Sequence, residues 1–134
     1  TVTQAMRDAI EDAEISPEDI GAINAHGTST PTGDTTEAAC LRAVFGSQLP
    51  RIPISANKSQ VGHSLGASAA IEAALGIEAM HQGLVLPTVN HLPDPALADL
   101  DVVPNQSRRH AHEFFLSNSF GFGGTNCCLV FRGL

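Results

Sequence analysis

A chain of 134 residues, 43% of them apolar, is long enough for one modest domain that buries a core of its own. Its net charge of −7, with the few arginines scattered, excludes a binder of nucleic acid, and no apolar run reaches the roughly 20 residues needed to span a membrane. No basic and then apolar leader opens the sequence, so the cytoplasm is the expected setting.

Residues 1–14 place Val2, Met6, Ala9, Ile10 and Ala13 on one face, which predicts an amphipathic helix. Asp8, Glu11, Asp12 and Glu14, with Glu18 and Asp19 beyond, read as a solvated acidic face and its following turn. Ser16-Pro17-Glu18-Asp19 supplies a cap, a proline and early acids, so a short helical turn is expected there. Residues 21–25 form a short apolar run that suits a buried strand. A hydroxyl-rich loop from His26 to Asp34 follows, and Asp34 is expected to cap a helix over residues 35–45.

A second buried strand is predicted over residues 52–56, and directly after it stands Lys58, the only lysine in the chain. His63 comes five positions later, at the mouth of an alanine-rich helix over residues 64–81. A cation and an imidazole beside a helix start suit the handling of an anionic group. That helix has little amphipathicity, so it is expected to be enclosed on most sides, and Glu72 inside it needs a partner. Lys58 is the candidate.

Residues 83–112 are rich in Pro, Asn and Asp, which predicts irregular chain with short extended pieces at 86–90 and 101–103. His110 and His112 in this region lack an acid or cysteine at ligand spacing and read as loop residues. Residues 113–119 and 126–132 read as an antiparallel hairpin about the turn Phe120-Gly121-Phe122-Gly123-Gly124-Thr125. Cys40, Cys127 and Cys128 fit neither a disulfide framework nor a zinc spacing, and are expected to be small core hydrophobes.

Three stretches carry a resemblance: His26-Gly27-Thr28-Ser29-Thr30-Pro31-x-Gly33-Asp34, Asn57-Lys58-x4-Gly62-His63-x-Leu65-Gly66-Ala67, and Asn118-Ser119-Phe120-Gly121-Phe122-Gly123-Gly124-Thr125-Asn126. In this order they resemble the C-terminal half of a β-ketoacyl-[acyl carrier protein] synthase, an elongating condensing enzyme of the thiolase-like superfamily. The resemblance spans essentially residues 1–134, which it implies are one C-terminal domain. It implies an α/β fold, one half of a thiolase-like fold, with a mixed sheet of about five strands, helices packed on it and a C-terminal antiparallel hairpin.

The implied reaction is a decarboxylating Claisen condensation between an acyl thioester and malonyl-acyl carrier protein, in fatty acid or polyketide synthesis. His26 and His63 match the family's catalytic histidines, Lys58 its lysine, and Phe122 the gate whose backbone N–H is half of an oxyanion hole. Thr28 and Thr30 match hydroxyls that bind pantetheine, and Phe120, Gly121 and Gly123 belong to the same substrate-binding turn. Asp34, Glu37 and Glu72 match a supporting polar network. Asn24, Glu72, Ser117 and Asn118 match positions that surround a structural monovalent cation in some members.

No cofactor is implied, because substrates arrive on the phosphopantetheine of the carrier protein. The implied partners are that acidic carrier, the N-terminal half of the synthase, and a second copy in a homodimer. Arg108 and Arg109 are the only clustered cations here, so most of the docking surface is expected from the missing half or the dimer mate. The family's nucleophilic cysteine lies in that missing half, so the chain alone is expected to be inactive.

Gly62-His63-x-Leu65-Gly66-Ala67-Ser68 also resembles a thiolase motif, but the second thiolase cysteine is absent before the glycine run. A non-catalytic partner of the chain-length-factor kind and an isolated structural module are the readings from other classes.

Overall fold

The computed structural model describes residues 1–134. Helix α1, Val2–Asp12, is capped by the Thr1 hydroxyl and buries Met6 and Ile10 while its acids face water. A short turn over Pro17–Asp19 is closed by Asp19, whose carboxylate accepts from the Ser16 N–H and hydroxyl, and leads into β1, Ile20–Asn24. Helix α2 covers Pro31–Phe45. It starts four residues earlier than expected, because Pro31 has its φ already set for a first helical turn. Thr30 rather than Asp34 occupies the capping position, and Asp34 lies inside the first turn.

Strand β2 is only Ile54–Ser55, followed by the four-residue helix α3, Lys58–Val61. Helix α4 runs Ser68–His81, and β3, Leu84–Val85, pairs antiparallel with β4, Arg108–Arg109. The hairpin is β5, Phe114–Phe120, and β6, Asn126–Arg132, paired antiparallel along its full length as the sequence predicts.

The main sheet has the order β2-β1-β5-β6, with β1 parallel to both neighbours. It has four strands where about five were expected. The fifth survives as a single parallel bridge, Ile54 to Val102, with Ile54 N–H donating to Asp101 C=O at 2.9 Å and Val103 N–H to Ile54 C=O at 2.9 Å. It goes no further because Thr88 takes the next positions, its N–H donating to Val103 C=O at 2.8 Å and its C=O accepting from Asn105 N–H at 3.0 Å.

A strand buried on both faces needs a layer on each. On one side α1 and α2 pack Met6, Ile10, Leu41 and Phe45 against Ile23 and Leu116. On the other, α4 packs Met80 against Ala22 and Phe115, with Gly76 pressed so close to the Phe115 ring that a Cβ would overlap it.

Helix α4 is not enclosed on most sides. Ser68, Glu72, Gly76, Ala79 and Met80 are buried, but Ala70, Ile71 and Ala74 face outward, Ile71 at 37% exposure. Its apolarity runs round the helix, and the chain covers one face of it. On the same side of the sheet, Leu129 is 44% exposed and Cys127 lies in the open, so Cys127 is no core residue; Cys40 and Cys128 are half-buried. Strand alternation explains the difference, since Cys128 turns toward α1 and Cys127 toward the uncovered side.

Candidate active site

The site gathers at the carboxyl ends of the parallel strands, where open α/β sheets keep their ligands. Beyond Asn24 the chain leaves β1 through Ala25, His26 and Gly27. Gly27 has φ +44°, and a Cβ there would come within 2.6 Å of Ala56 Cβ, so only glycine fits. Glu37 of α2 reaches up beneath this turn. Its oxygens accept from His26 N–H at 2.9 Å, Gly27 N–H at 3.0 Å and Asn118 Nδ2 at 3.1 Å. Burial pushes the Glu37 carboxyl up, against the pull of those three donors.

Lys58 opens α3, one residue after the buried Asn57, and its ammonium is almost dry. Nζ donates to His26 C=O at 2.7 Å and pairs with Glu72 Oε1 at 2.8 Å, as the sequence reading required. The other Glu72 oxygen accepts from Asn24 Nδ2 at 2.7 Å, and Asn24 Oδ1 in turn accepts the Asn57 N–H at 3.2 Å. One ammonium thus ties the backbone of the β1 loop to the middle of α4.

Both histidines stand over this base. Their ring centroids are 5.8 Å apart with planes at 88°, and Phe120 lies 5.4 Å from the His26 ring. The backbone N–H of Phe120 donates to His26 Nδ1 at 3.3 Å, and that of Leu65 donates to His63 Nδ1 at 3.2 Å. A ring nitrogen that accepts carries no proton, so each neutral imidazole holds its proton on Nε2. Desolvation, then the charges of Lys58 and His63, lower the His26 pKa to about 4, against a smaller opposite pull from Glu72. His26 is a neutral hydrogen-bond donor across the physiological range.

A cleft of about 470 Å³ opens beside them, lined among others by Gly27, Thr28, Asp34, Lys58, His63 and Asn90. The Thr28 and Thr30 hydroxyls lie 3.3 Å apart at the loop. Asp34 has a buried oxygen without a partner, and burial raises its carboxyl. Phe122 stands fully exposed on the hairpin turn, where Gly123 takes φ +78° and Gly121 N–H donates to Thr125 C=O at 2.7 Å. The structure brings His26, His63, Lys58, Phe120, Glu37 and Glu72 together; of these Lys58 and His63 line the cleft, while His26, Phe120, Thr30, Gly121, Phe122 and Gly123 do not.

Among the expected cation positions, Asn24 Nδ2 lies 3.3 Å from Ser117 Oγ. Asn118 Oδ1 is buried with no partner. Histidines 110 and 112 serve the fold: His110 Nε2 lies 2.9 Å from Gly21 C=O and His112 Nδ1 lies 2.9 Å from His110 C=O. Two site residues stand within the quoted motifs but are given no role by the sequence. Asn57 and Ser68 are buried polar residues whose bonds, to Asn24 and to the His63 turn, only the folded chain reveals.

A layered sheet with paired histidines over a lysine at its strand ends defines the class of thiolase-like ketosynthases. The family model for the β-ketoacyl synthase C-terminal domain matches residues 1–91, and the chain belongs to that family. Over 129 residues it is 43% identical to a 3-oxoacyl-[acyl-carrier-protein] synthase 2 from Coxiella burnetii, covering 96% of this chain and 31% of that protein. It superposes on a β-ketoacyl synthase from Burkholderia phymatum with a TM-score of 0.93 and 43% identity, over 99% of this chain and 32% of that one. It is also similar to a type II polyketide ketosynthase, solved with its acyl carrier protein and bound to the hexaketide (TM-score 0.92, 38% identity, 100% and 33% covered). The chain therefore spans about a third of the length of these relatives. No helix is long and apolar enough to cross a membrane.

Proposed function

We propose that residues 1–134 are the C-terminal domain of a 3-oxoacyl-[acyl carrier protein] synthase, supplying the decarboxylating part of its site. The observation that supports this is the pair of imidazoles, 5.8 Å apart, each with Nδ1 filled by a backbone N–H and Nε2–H left to donate. A malonyl thioester placed between them loses its carboxylate as carbon dioxide. The bonding pair moves into the adjacent carbon and carbonyl, and the two N–H groups stabilise the oxygen as it becomes an enolate. The enolate carbon attacks an acyl group held on a cysteine; the thiolate leaves, giving a 3-oxoacyl thioester on the carrier.

Lys58 acts by holding His26 from behind through its carbonyl, with Glu72 balancing the charge. The Phe122 N–H lies on a turn suited to the second oxyanion, and its exposed ring to a gate over the acyl chain. Thr28 and Thr30 offer hydroxyls to the pantetheine arm, along the face of Phe120, Gly121 and Gly123. Oxygen ligands from Asn24, Glu72, Ser117 and Asn118 suit a hard monovalent cation, which would satisfy Asn118 Oδ1.

The thiol comes from an N-terminal half, which would also cover Ile71, Ala74 and Leu129; the carrier protein and a second copy complete the assembly. None of the chain's own cysteines fits the task. Cys128 is pushed up to about 12 by burial and its neighbour Cys127, far from a reactive thiolate. A chain-length-factor role would leave the Nε2–H pair without a purpose. The test is carbon dioxide release from malonyl-carrier protein by this chain joined to its N-terminal half. His26→Ala and His63→Ala should each lower it by about two orders of magnitude or more, and parental rates in both would overturn the reading.

A further inference from the structure

His63 is the least supported member of the site. Residues 61–67 are all exposed, the turn carries Leu65 in the left-handed region at φ +50°, and no residue of the sheet touches the ring's Nδ1. The fixed point beside it is Ser68, 5% exposed, the first residue of α4. Its Oγ lies 3.3 Å from His63 Nδ1 and accepts the Ser64 N–H at 3.0 Å.

The roles of these atoms follow from counting donors. His63 Nδ1 already accepts from the Leu65 N–H and so has no proton to give. In the contact with Oγ the donor must then be the serine hydroxyl. That hydroxyl has one proton, aimed at the ring, where it shares the single Nδ1 lone pair with the Leu65 N–H, while its oxygen accepts the Ser64 N–H. Ser68 also shares the buried face of α4 with Glu72, one turn on, and Glu72 holds Lys58. One rigid helix therefore registers His63 through its first residue and Lys58, with His26 behind it, through its second turn.

Resting on the function proposed above, we infer that Ser68 is a positioning residue for the decarboxylation step: its hydroxyl, donating to His63 Nδ1, holds the ring so that Nε2–H meets the forming enolate. Ser68 touches neither substrate nor thiol and acts only through His63. An alanine keeps the helix and the Leu65 bond but frees the ring to swing.

The experiment uses the full synthase containing this chain and measures two rates in each variant: carbon dioxide release from malonyl-carrier protein, and acyl loading of the thiol as an internal reference for folding. In Ser68→Ala the ratio of decarboxylation to loading should fall roughly three- to tenfold, the size of one lost hydrogen bond felt in the transition state. Ser68→Thr, which keeps a hydroxyl, should recover most of that loss. An unchanged ratio in Ser68→Ala overturns the inference, and so does a Ser68→Thr variant as impaired as the alanine, since the loss would then be one of packing. His63→Ala separates the two levels. If it lowers decarboxylation while Ser68→Ala does not, only the role of Ser68 fails; if it leaves decarboxylation at the parental rate, the proposed function fails and Ser68 with it.

Discussion

Lys58 Nζ and Glu72 Oε1 meet at 2.8 Å with side-chain exposures of 5% and 0%. Fourteen residues apart in sequence, the two join α3 to the centre of α4, and the bond from Nζ to His26 C=O adds the loop after the first strand. Charges this dry cost a great deal to separate, because the survivor has no water to replace its partner.

Replacing one partner therefore exposes the dependence. Lys58→Met should destabilise the chain by about 3–5 kcal/mol. Adding Glu72→Gln should recover much of that loss, since the amide keeps an acceptor for Asn24 and removes the stranded charge. Urea denaturation of the single and double variants measures both; a double variant no more stable than Lys58→Met would contradict the account.

Acidification tests His26. Unfolded, its ring takes a proton as pH falls through about 6.5; folded, it resists until about 4. Between those values the unfolded chain binds more protons, so the His26 contribution is fully present above pH 6.5 and is lost progressively toward pH 4. Glu37 and Asp34, whose carboxyls burial raises, titrate in the opposite sense. The difference between the parent and His26→Gln isolates the histidine: the parent's urea midpoint should fall more steeply from pH 6.5 to 4 than the variant's.

Gly76 tests the packing of α4. Alanine is the better helix former by about 1 kcal/mol, yet a Cβ here overlaps the Phe115 ring, which is itself held in the core. Overpacking typically costs about 1–3 kcal/mol, so Gly76→Ala should be net destabilising in thermal or chemical unfolding, and a gain in stability would show that the ring can move aside.

The bare side of α4 makes a separate prediction. Ile71→Glu places a carboxylate on an outward position and should leave the stability of the chain itself within about 0.5 kcal/mol of the parent. The same change should abolish binding to a separately expressed N-terminal half, measured by gel filtration or calorimetry. Intact assembly would show that this face is not the contact.

Local signals carried much of this structure in the sequence. The hairpin of β5 and β6 follows from two apolar runs about a glycine turn, and the Lys58–Glu72 pair from a carboxylate near the centre of an apolar helix with one lysine in the chain. His26 and His63 stood out by their motifs. What escaped depends on the third dimension: that Pro31 starts α2, that the fifth strand shrinks to one bridge at Val102, and that Cys127 faces outward. Periodicity also gave α4 a uniform apolar surface without saying that only one face would be covered. The role of Ser68 escaped, since a serine at a helix start is ordinary until its hydroxyl is seen against an imidazole.

Strand β5 arrives almost last in the chain yet lies at the centre of the sheet, between β1 and β6. During synthesis residues 1–113 can form helices and the β1–β2 pair, but Ile20, Ala22 and Ile23 stay open on one edge until Phe114–Phe120 slides in beside them. Pairing across some 90 residues is slow to nucleate. The backbone donor to His26 comes from Phe120 in that same strand, so the imidazole acquires its orientation only when the sheet closes, and a nascent chain stopped short of it would carry the motif without the geometry.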